Sequence, residues 1–228
     1  MQISIKSCLS GARSAEGTAV VIDVFRGSNT IISCLMQGAE CIYPVAGVDE
    51  ALKIKASHPD YLLFGERKSH PPTGFDYDNS PAEASGLKLD KRKIIHTTSA
   101  CTKGILGAGK SAEILVGSFA NAGAIINYLR KANPKKVSLV AIGLDAKKPA
   151  AEDELCASYI KENLEGKTTD FKKIKDRILK SRGSGRLRKL NQDDDLEFCL
   201  KLDISNIVPV FDLHSGKIIN FTQSFSAP

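Results

Sequence analysis

Thr18-Ala19-Val20-Val21-Ile22-Asp23-Val24-Phe25 decides the fold, because its β-branched and apolar residues run on without the polar alternation of a strand that has one wet face. A strand apolar on both sides belongs in a sheet covered by helices on both faces. Outward from it, strand patterns recur at Gln2 to Ser7, Glu40 to Val45, Tyr61 to Phe64, Lys93 to His96, Glu113 to Val116, Lys136 to Ile142 and Ile207 to Phe211. Helical patterns fit between most of them, at Asn29 to Gln37, Val48 to Ser57, Ser80 to Ser85, Ser99 to Leu106, Asn121 to Lys131, Ala151 to Leu164, Asp170 to Ser181 and Asp193 to Leu200. This alternation predicts an α/β fold, a three-layer α/β/α sandwich with a mixed, largely parallel sheet, as one domain over residues 1–228. Ser181-Arg182-Gly183-Ser184-Gly185 reads as a flexible turn between C-terminal helices.

A chain of 228 residues, 42% of them hydrophobic, can bury one good core. No apolar run approaches the roughly 18 residues of a membrane span, and Met1 to Cys8 is a strand pattern rather than a secretion signal, so a cytoplasmic protein without a membrane partner is expected. The six cysteines lack C-x-x-C spacing and sit in apolar elements, which suits reduced, buried thiols better than disulfides or zinc. Charge is uneven. Between Lys167 and Lys189, ten Lys or Arg stand against Asp170 and Asp176, a local excess of 8 in a chain whose total is +6. Only Phe171 is near them, so stacking aromatics are missing and no nucleic-acid partner is expected; a solvated helical face is preferred, with steering of an anionic substrate second.

Polar residues cluster just after the strands: Asp23 and Arg26, Glu66 and Arg67, Thr97 to Ser99, Ser118 and Asn121, and Gly143 to Asp153. In an open α/β sheet such exits line one edge, where ligands bind beyond the carboxyl ends of the strands. The longest exit, Gly65 to Pro81, carries both charge signs and little to bury, which suits a small charged ligand. Its acids Glu66, Asp76 and Asp78 could hold a hard cation, and Arg67 and Lys68 could neutralise an anion. Asp23 ends a strand beside Arg26, Ser28 and a helix start, a combination suited to phosphate. Glu152 and Asp153 open another helix at the same edge and could complete a magnesium site.

Three motifs carry less. Gly104 to Ser111 matches a nucleotide-binding loop letter for letter, but a helix precedes it and a strand follows, the reverse of the required order, so its glycines end a helix. Cys101 lacks the arginine of a cysteine phosphatase, since Gly107 stands in that place, and is read as non-nucleophilic. His96 is read as a packed strand residue.

Val21-Ile22-Asp23-Val24-Phe25-Arg26, Gly65-Glu66-Arg67 with Gly74-Phe75-Asp76 and Asn79-Ser80-Pro81, Thr97-Thr98 with Thr102, Gly117-Ser118-Phe119 with Asn121-Ala122, and Glu152-Asp153 with Cys156-Ala157 occur in the order of the 2-phosphosulfolactate phosphatase family, which this chain resembles over roughly residues 18 to 211. Gly185-Arg186-Leu187, Asp195-Leu196, Phe198-Cys199 and Val208-Pro209-Val210 resemble that family's ending. The resemblance implies an α/β/α sandwich and a magnesium-dependent phosphatase that converts 2-phosphosulfolactate to sulfolactate, the second step of one coenzyme M pathway. In that reading Asp23, Arg26, Glu66 and Arg67 are catalytic, and Mg2+ is held by some of Asp23, Glu66, Asp76, Glu152 and Asp153. Ser28, Asn79, Ser80, Thr97, Thr98, Ser99 and Asn121 bind a small phosphorylated, sulfonated or carboxylated substrate, and assembly as a homo-oligomer stays open. Cys101 stands where the family commonly has glycine. A non-catalytic binding protein for an anionic phosphorylated metabolite is the alternative.

Overall fold

A computed structural model describes residues 1–221. The strands are β1 (Gln2–Ser7), β2 (Thr18–Ile22), β3 (Cys41–Pro44), β4 (Leu62–Gly65), β5 (Lys93–Thr97), β6 (Glu113–Gly117), β7 (Lys136–Ala141), β8 (Pro209–Asp212) and β9 (Lys217–Asn220). The helices are α1 (Cys8–Arg13), α2 (Gly27–Met36), α3 (Val48–Ser57), α4 (Pro81–Ser85), α5 (Cys101–Gly107), α6 (Ala122–Ala132), α7 (Ala151–Leu164), α8 (Phe171–Leu179), α9 (Arg182–Lys189) and α10 (Asp193–Cys199). All nine strands join one mixed sheet in the order β1-β7-β2-β6-β8-β9-β3-β5-β4. The α/β sandwich expected from the alternating pattern is the one observed.

The helices cover both faces, as the continuous apolar runs require. All five residues of β2 are buried. On one face Val21, Val116, Ile42, Ile94 and Phe64 pack against α2 and α5 through Ile31, Leu35 and Ile105. On the other, Val20, Ile22, Leu115 and Leu139 meet α6 and α7 through Ile125, Leu129 and Ile160, while α3 covers Leu63 and Ile95. Each large side chain fully withdrawn in this way contributes about 1.5–3 kcal/mol of transfer free energy.

The sheet is two parallel blocks stitched by a hairpin. Strands β1, β7, β2 and β6 are mutually parallel, as are β3, β5 and β4. Between the blocks, β8 is antiparallel to β6, β9 to β8, and β3 to β9, so the second block runs formally opposite to the first. Sheet twist changes what that means. Five steps separate β2 from β5, and about 20–25° of twist per step turns the direction by roughly 100–125°, so the two blocks cross instead of opposing. Their carboxyl ends therefore converge, which a flat sheet would forbid. Gly27 marks the meeting point: a Cβ there would lie 2.4 Å from that of Cys101 and 2.8 Å from Asp23 Oδ2.

Several boundaries differ from the sequence pattern. The second strand stops at Ile22 rather than Phe25, so Asp23 to Arg26 form a turn. Residues 182–185, expected to be a flexible turn, are the first turn of α9, capped by Ser181, whose Oγ accepts from Ser184 N at 3.2 Å. As anticipated, α5 ends at Gly107 and β6 begins at Glu113, so the helix of a nucleotide loop is missing after Lys110-Ser111. The cysteines at 8, 34, 41, 101, 156 and 199 are all free and buried. Among the described residues, no helix is long and apolar enough to cross a membrane.

Candidate active site

The converging strand ends enclose a cavity of about 760 Å³. Asp23, Phe25 and Arg26 come to it from the exit of β2, Gly143 to Asp145 from β7, Glu66, Lys68 and Ser69 from β4, and Ser99 and Ala100 from β5. A second chamber of about 490 Å³ shares Asp23, Phe25 and Arg186 and is lined by Glu152, Asp153 and Lys148.

Four buried carboxylates stand around these chambers, Asp23 and Glu66 on the first and Asp23, Glu152 and Asp153 on the second. Asp23 N donates to Ser28 Oγ at 2.9 Å, and Ser28 N returns a bond to Asp23 O at 3.0 Å, which fixes the turn into α2. Burial, and then the charge of Glu66, lift the Asp23 carboxyl to about 7. Asp153 clamps two strand exits together, with Oδ1 accepting from Val24 N and Oδ2 from Gly143 N, each at 2.8 Å. Burial raises its pKa well above the usual range, with Asp23 and Glu152 adding repulsion. Glu66 accepts from Ser99 N at 2.6 Å, Ser69 N at 3.0 Å and Ser99 Oγ at 3.2 Å, so it organises the β4 and β5 exits. Burial raises Glu152 as well, against the opposing pull of Arg186 and Ser181. Among the described residues no three acid, His or Cys side chains converge as a ready-made ion cluster.

Neither arginine expected to clamp phosphate is free. Arg26, 3% exposed, shares Nη1 between Asp78 at 2.8 Å and Asp195 at 2.7 Å. Asp195 in turn accepts from Ser80 Oγ at 2.6 Å and Ala82 N at 3.1 Å, tying α10 to the start of α4. Arg67 gives its guanidinium to Glu66 O at 2.6 Å, Thr97 Oγ1 at 2.8 Å and Ala46 O at 3.2 Å, and does not line the cavity.

Other expected site residues divide in the same way. Asp76 lies apart from the acids, accepting from Leu63 N at 2.8 Å and pairing with Lys55 at 3.1 Å. Thr98 and Thr102 bond each other's amides across the entry to α5. Asn121 is buried against Val116 O and Ile207 O, each at 3.1 Å. Asn79 does reach the cavity, and its Oδ1 lies 3.0 Å from Nε2 of His96. Burial holds His96 down to about 3, so the ring is neutral. With the proton on Nε2, His96 donates to the Asn79 oxygen and leaves the amide NH2 as the group Asn79 can offer a ligand.

The opposite wall was not anticipated. Arg182, Gly185, Arg186, Lys189 and Leu190 of the α9 region line the cavity; Arg182 and Lys189 are exposed, as expected of a solvated face, but that face borders the cavity and Arg186 is half-buried in it. The spacing of 182, 186 and 189, four then three residues, was the available signal for a common face.

The sequence profile described as 2-phosphosulpholactate phosphatase matches residues 5–213. The chain belongs to the 2-phosphosulfolactate phosphatase family. Members of this family are phosphoric monoester hydrolases. Relatives named probable 2-phosphosulfolactate phosphatase include one from Pseudothermotoga lettingae, 36% identical with 87% of this chain and 91% of the relative covered. Another, from Thermoplasma volcanium, is 36% identical over 88% and 91%. A third, from Carboxydothermus hydrogenoformans, is 34% identical over 91% and 92%. The family profile spans both parallel blocks and α9, so the two walls of the cavity lie within the matched region.

Proposed function

We propose that this protein is a magnesium-dependent phosphatase that hydrolyses 2-phosphosulfolactate to sulfolactate and phosphate within a coenzyme M route. The observation that carries the reading is the pairing, across one cavity, of buried acids at the strand exits with a wall of arginines and lysine on α9. Family membership supplies the substrate.

The acids suit a divalent cation. A carboxyl pushed to about 7 by burial and a neighbouring carboxylate, despite the partial offset of Arg186, has too little positive charge beside it, which a cation would provide. Magnesium takes one or two protein carboxylates and completes its shell with water and phosphate oxygens, so Asp23 with Glu66 is sufficient. Bound there, it would supply positive charge to the phosphoryl oxygens and lower the pKa of a coordinated water. Asp153 and Glu66 both hold backbone amides as well, Asp153 those of Val24 and Gly143 and Glu66 those of Ser69 and Ser99, so a cation at Asp23 and Glu66 would use the oxygen lone pairs those bonds leave.

Water attacks phosphorus, the bond from phosphorus to the C2 oxygen breaks, and the proton that the water loses ends on the departing C2 alkoxide. Asn79, oriented by His96, donates through its amide to a phosphoryl oxygen, and Lys68 at the rim adds positive charge. Arg26 keeps α4, α10 and the long loop in place.

Phosphate release from 2-phosphosulfolactate tests this directly. Turnover is expected with magnesium, is lost on chelation, and returns when magnesium is added back. No release under any of these conditions, from a protein shown to be folded, overturns the proposal.

A further inference from the structure

We propose that the cavity face of α9, formed by Arg182, Arg186 and Lys189, is the recognition surface for the substrate's second anionic end, the carboxylate or sulfonate that is not transferred. The inference rests on the phosphatase reading and names the residues that choose its substrate class.

The first observation is availability. Among the described residues Arg182, Arg186 and Lys189 enter no ion pair with a carboxylate, whereas Arg26, on the same cavity, enters two. The Nε of Arg186 is buried without a hydrogen-bond partner. A buried guanidinium N–H that no protein acceptor meets is a donor suited to a ligand oxygen, because its desolvation has already been incurred.

The second observation is charge balance. 2-Phosphosulfolactate carries a phosphate, a carboxylate and a sulfonate, and the strand-exit side of the cavity offers it Asp23 and Glu66. Without a bound ion that side repels the substrate, and one divalent ion only brings its two carboxylates to formal neutrality. Three cations on the facing helix reverse the potential, and a concave site of low dielectric strengthens each of them.

The third observation is rigidity. Leu187 of α9 is buried in the core and Ser184 Oγ donates to Ile178 O at 2.6 Å. Gly183 lets the helix seat itself: a Cβ there would lie 2.3 Å from Glu152 Oε1, so with any larger residue the Glu152 carboxylate or the first turn must move from its present place. Glu152 thus acts as the anchor of the basic wall, and its negative charge meets the positive end of the helix. A helix held at three points can present its guanidinium groups without ordering them on each binding event.

Such a wall makes a testable distinction. A phosphate monoester without a second anion, such as isopropyl phosphate, leaves the arginines unpaired and is rejected, as polar sites generally reject analogues that lack the matching group. Three variants separate the contributions: Arg186→Gln, Arg186→Lys, and Arg188→Gln as a control. Arg188 lies on the same helix, is exposed, donates to Leu179 O at 2.9 Å and does not line the cavity. Two readouts are needed, the ratio of kcat/KM for 2-phosphosulfolactate to that for isopropyl phosphate, and calorimetric binding of sulfolactate, which carries no phosphate.

Arg186→Gln is expected to lower the ratio about 10-fold to 100-fold, chiefly through KM, and to weaken sulfolactate by a similar factor. Arg186→Lys should recover part of both, and Arg188→Gln should move neither. An unchanged ratio and unchanged sulfolactate affinity in Arg186→Gln overturn the inference while leaving the phosphatase reading intact. Equal losses in Arg188→Gln also overturn it, since the helix would then act only through a general field. If the parent hydrolyses no phosphate ester yet binds sulfolactate through Arg186, the phosphatase reading falls and the recognition surface stands. If the parent does neither, both fall.

Discussion

The corner between β2 and α2 and the helix α9 face each other across one cavity, and each presents arginine to it. At the corner, Arg26 is 3% exposed and bracketed by Asp78 and Asp195. On α9, Arg186 is half-buried, makes no ion pair and keeps an unmet N–H. Two carboxylates within hydrogen-bond reach neutralise one guanidinium and convert it to a structural brace. The other retains its charge for a ligand. What separates a brace from a binding group is therefore the set of partners brought by distant chain segments, since Asp195 is 169 residues from Arg26.

The strongest challenge to this contrast is Asp23→Asn, which strips the corner of its reactive acid while leaving Arg26 and α9 in place. Phosphate release should fall on the order of 1,000-fold, the scale of losing a preorganised charge contact in a hydrolytic site. A variant that keeps turnover within tenfold of the parent would move the chemistry away from the corner.

Stability should then distinguish the two arginines. Arg26→Met leaves Asp78 and Asp195 without their cation, and breaking a buried pair in this way costs about 3–5 kcal/mol. Arg186→Met breaks no direct ion pair and removes only a longer-range attraction to Asp23 and Glu152, so its cost should be smaller, about 1 kcal/mol. Urea unfolding measures both. If Arg186→Met were the more damaging, the assignment of brace and binder would be reversed.

Gly183→Ala sharpens the comparison from the other side. Its new methyl overlaps the Glu152 carboxylate, so either α9 or Glu152 must shift, at about 1–3 kcal/mol. Loss of sulfolactate affinity alongside that destabilisation, with Arg26 untouched, is the expected pattern. Destabilisation with full affinity would show that α9 does not depend on its seat.

The smallest expected effect is a pH trend. Burial and Glu66 raise the Asp23 carboxyl from 3.8 to about 7, so the folded state holds a proton that the unfolded chain has released. The resulting cost is absent below about 3.8, grows as pH rises, and is complete above about 7. Without magnesium, Asp23→Asn should therefore gain more in Tm over the parent at about pH 8 than at about pH 5. A difference independent of pH would mean that Asp23 is ionised throughout.

Much of the scaffold was legible because it obeys local rules. The run from Thr18 to Ile22 is buried along its whole length, and Val48–Ser57 and Ala151–Leu164 are helices at the limits their patterns mark. The sequence also indicated that the exits of β2, β4, β5 and β7 would share one edge, and they do line one cavity, though from two blocks rather than one parallel sheet. What escaped depends on tertiary partners. Arg182-Gly183-Ser184-Gly185 has poor helix propensity, and α9 forms because Ser181 caps it and Leu187 enters the core. At Lys217–Asn220 only four residues announce a strand, and it exists through its ladder with β8. Arg26 and Arg67 stand beside strand-end acids, so proximity in the chain suggested a phosphate clamp. Their partners Asp78, Asp195, Ala46 and Thr97 come from other elements and redirect both.

The hairpin of β8 and β9 also governs when the site can come into being. It is the sheet's sole ladder between the two parallel blocks among the described residues, and it is made of residues 209–220. A growing chain leaving the ribosome thus has β1 to β7 available long before anything can join Leu115 to Ile42 through Val210 and Ile218. Until then each block has an open edge, and joining such remote segments is slow compared with closing local contacts. The enzyme's birth is consequently its most vulnerable moment: a chain released just short of Pro209 would possess the acids and basic helix of the cavity but lack the stitch that turns one block's strand ends toward the other's.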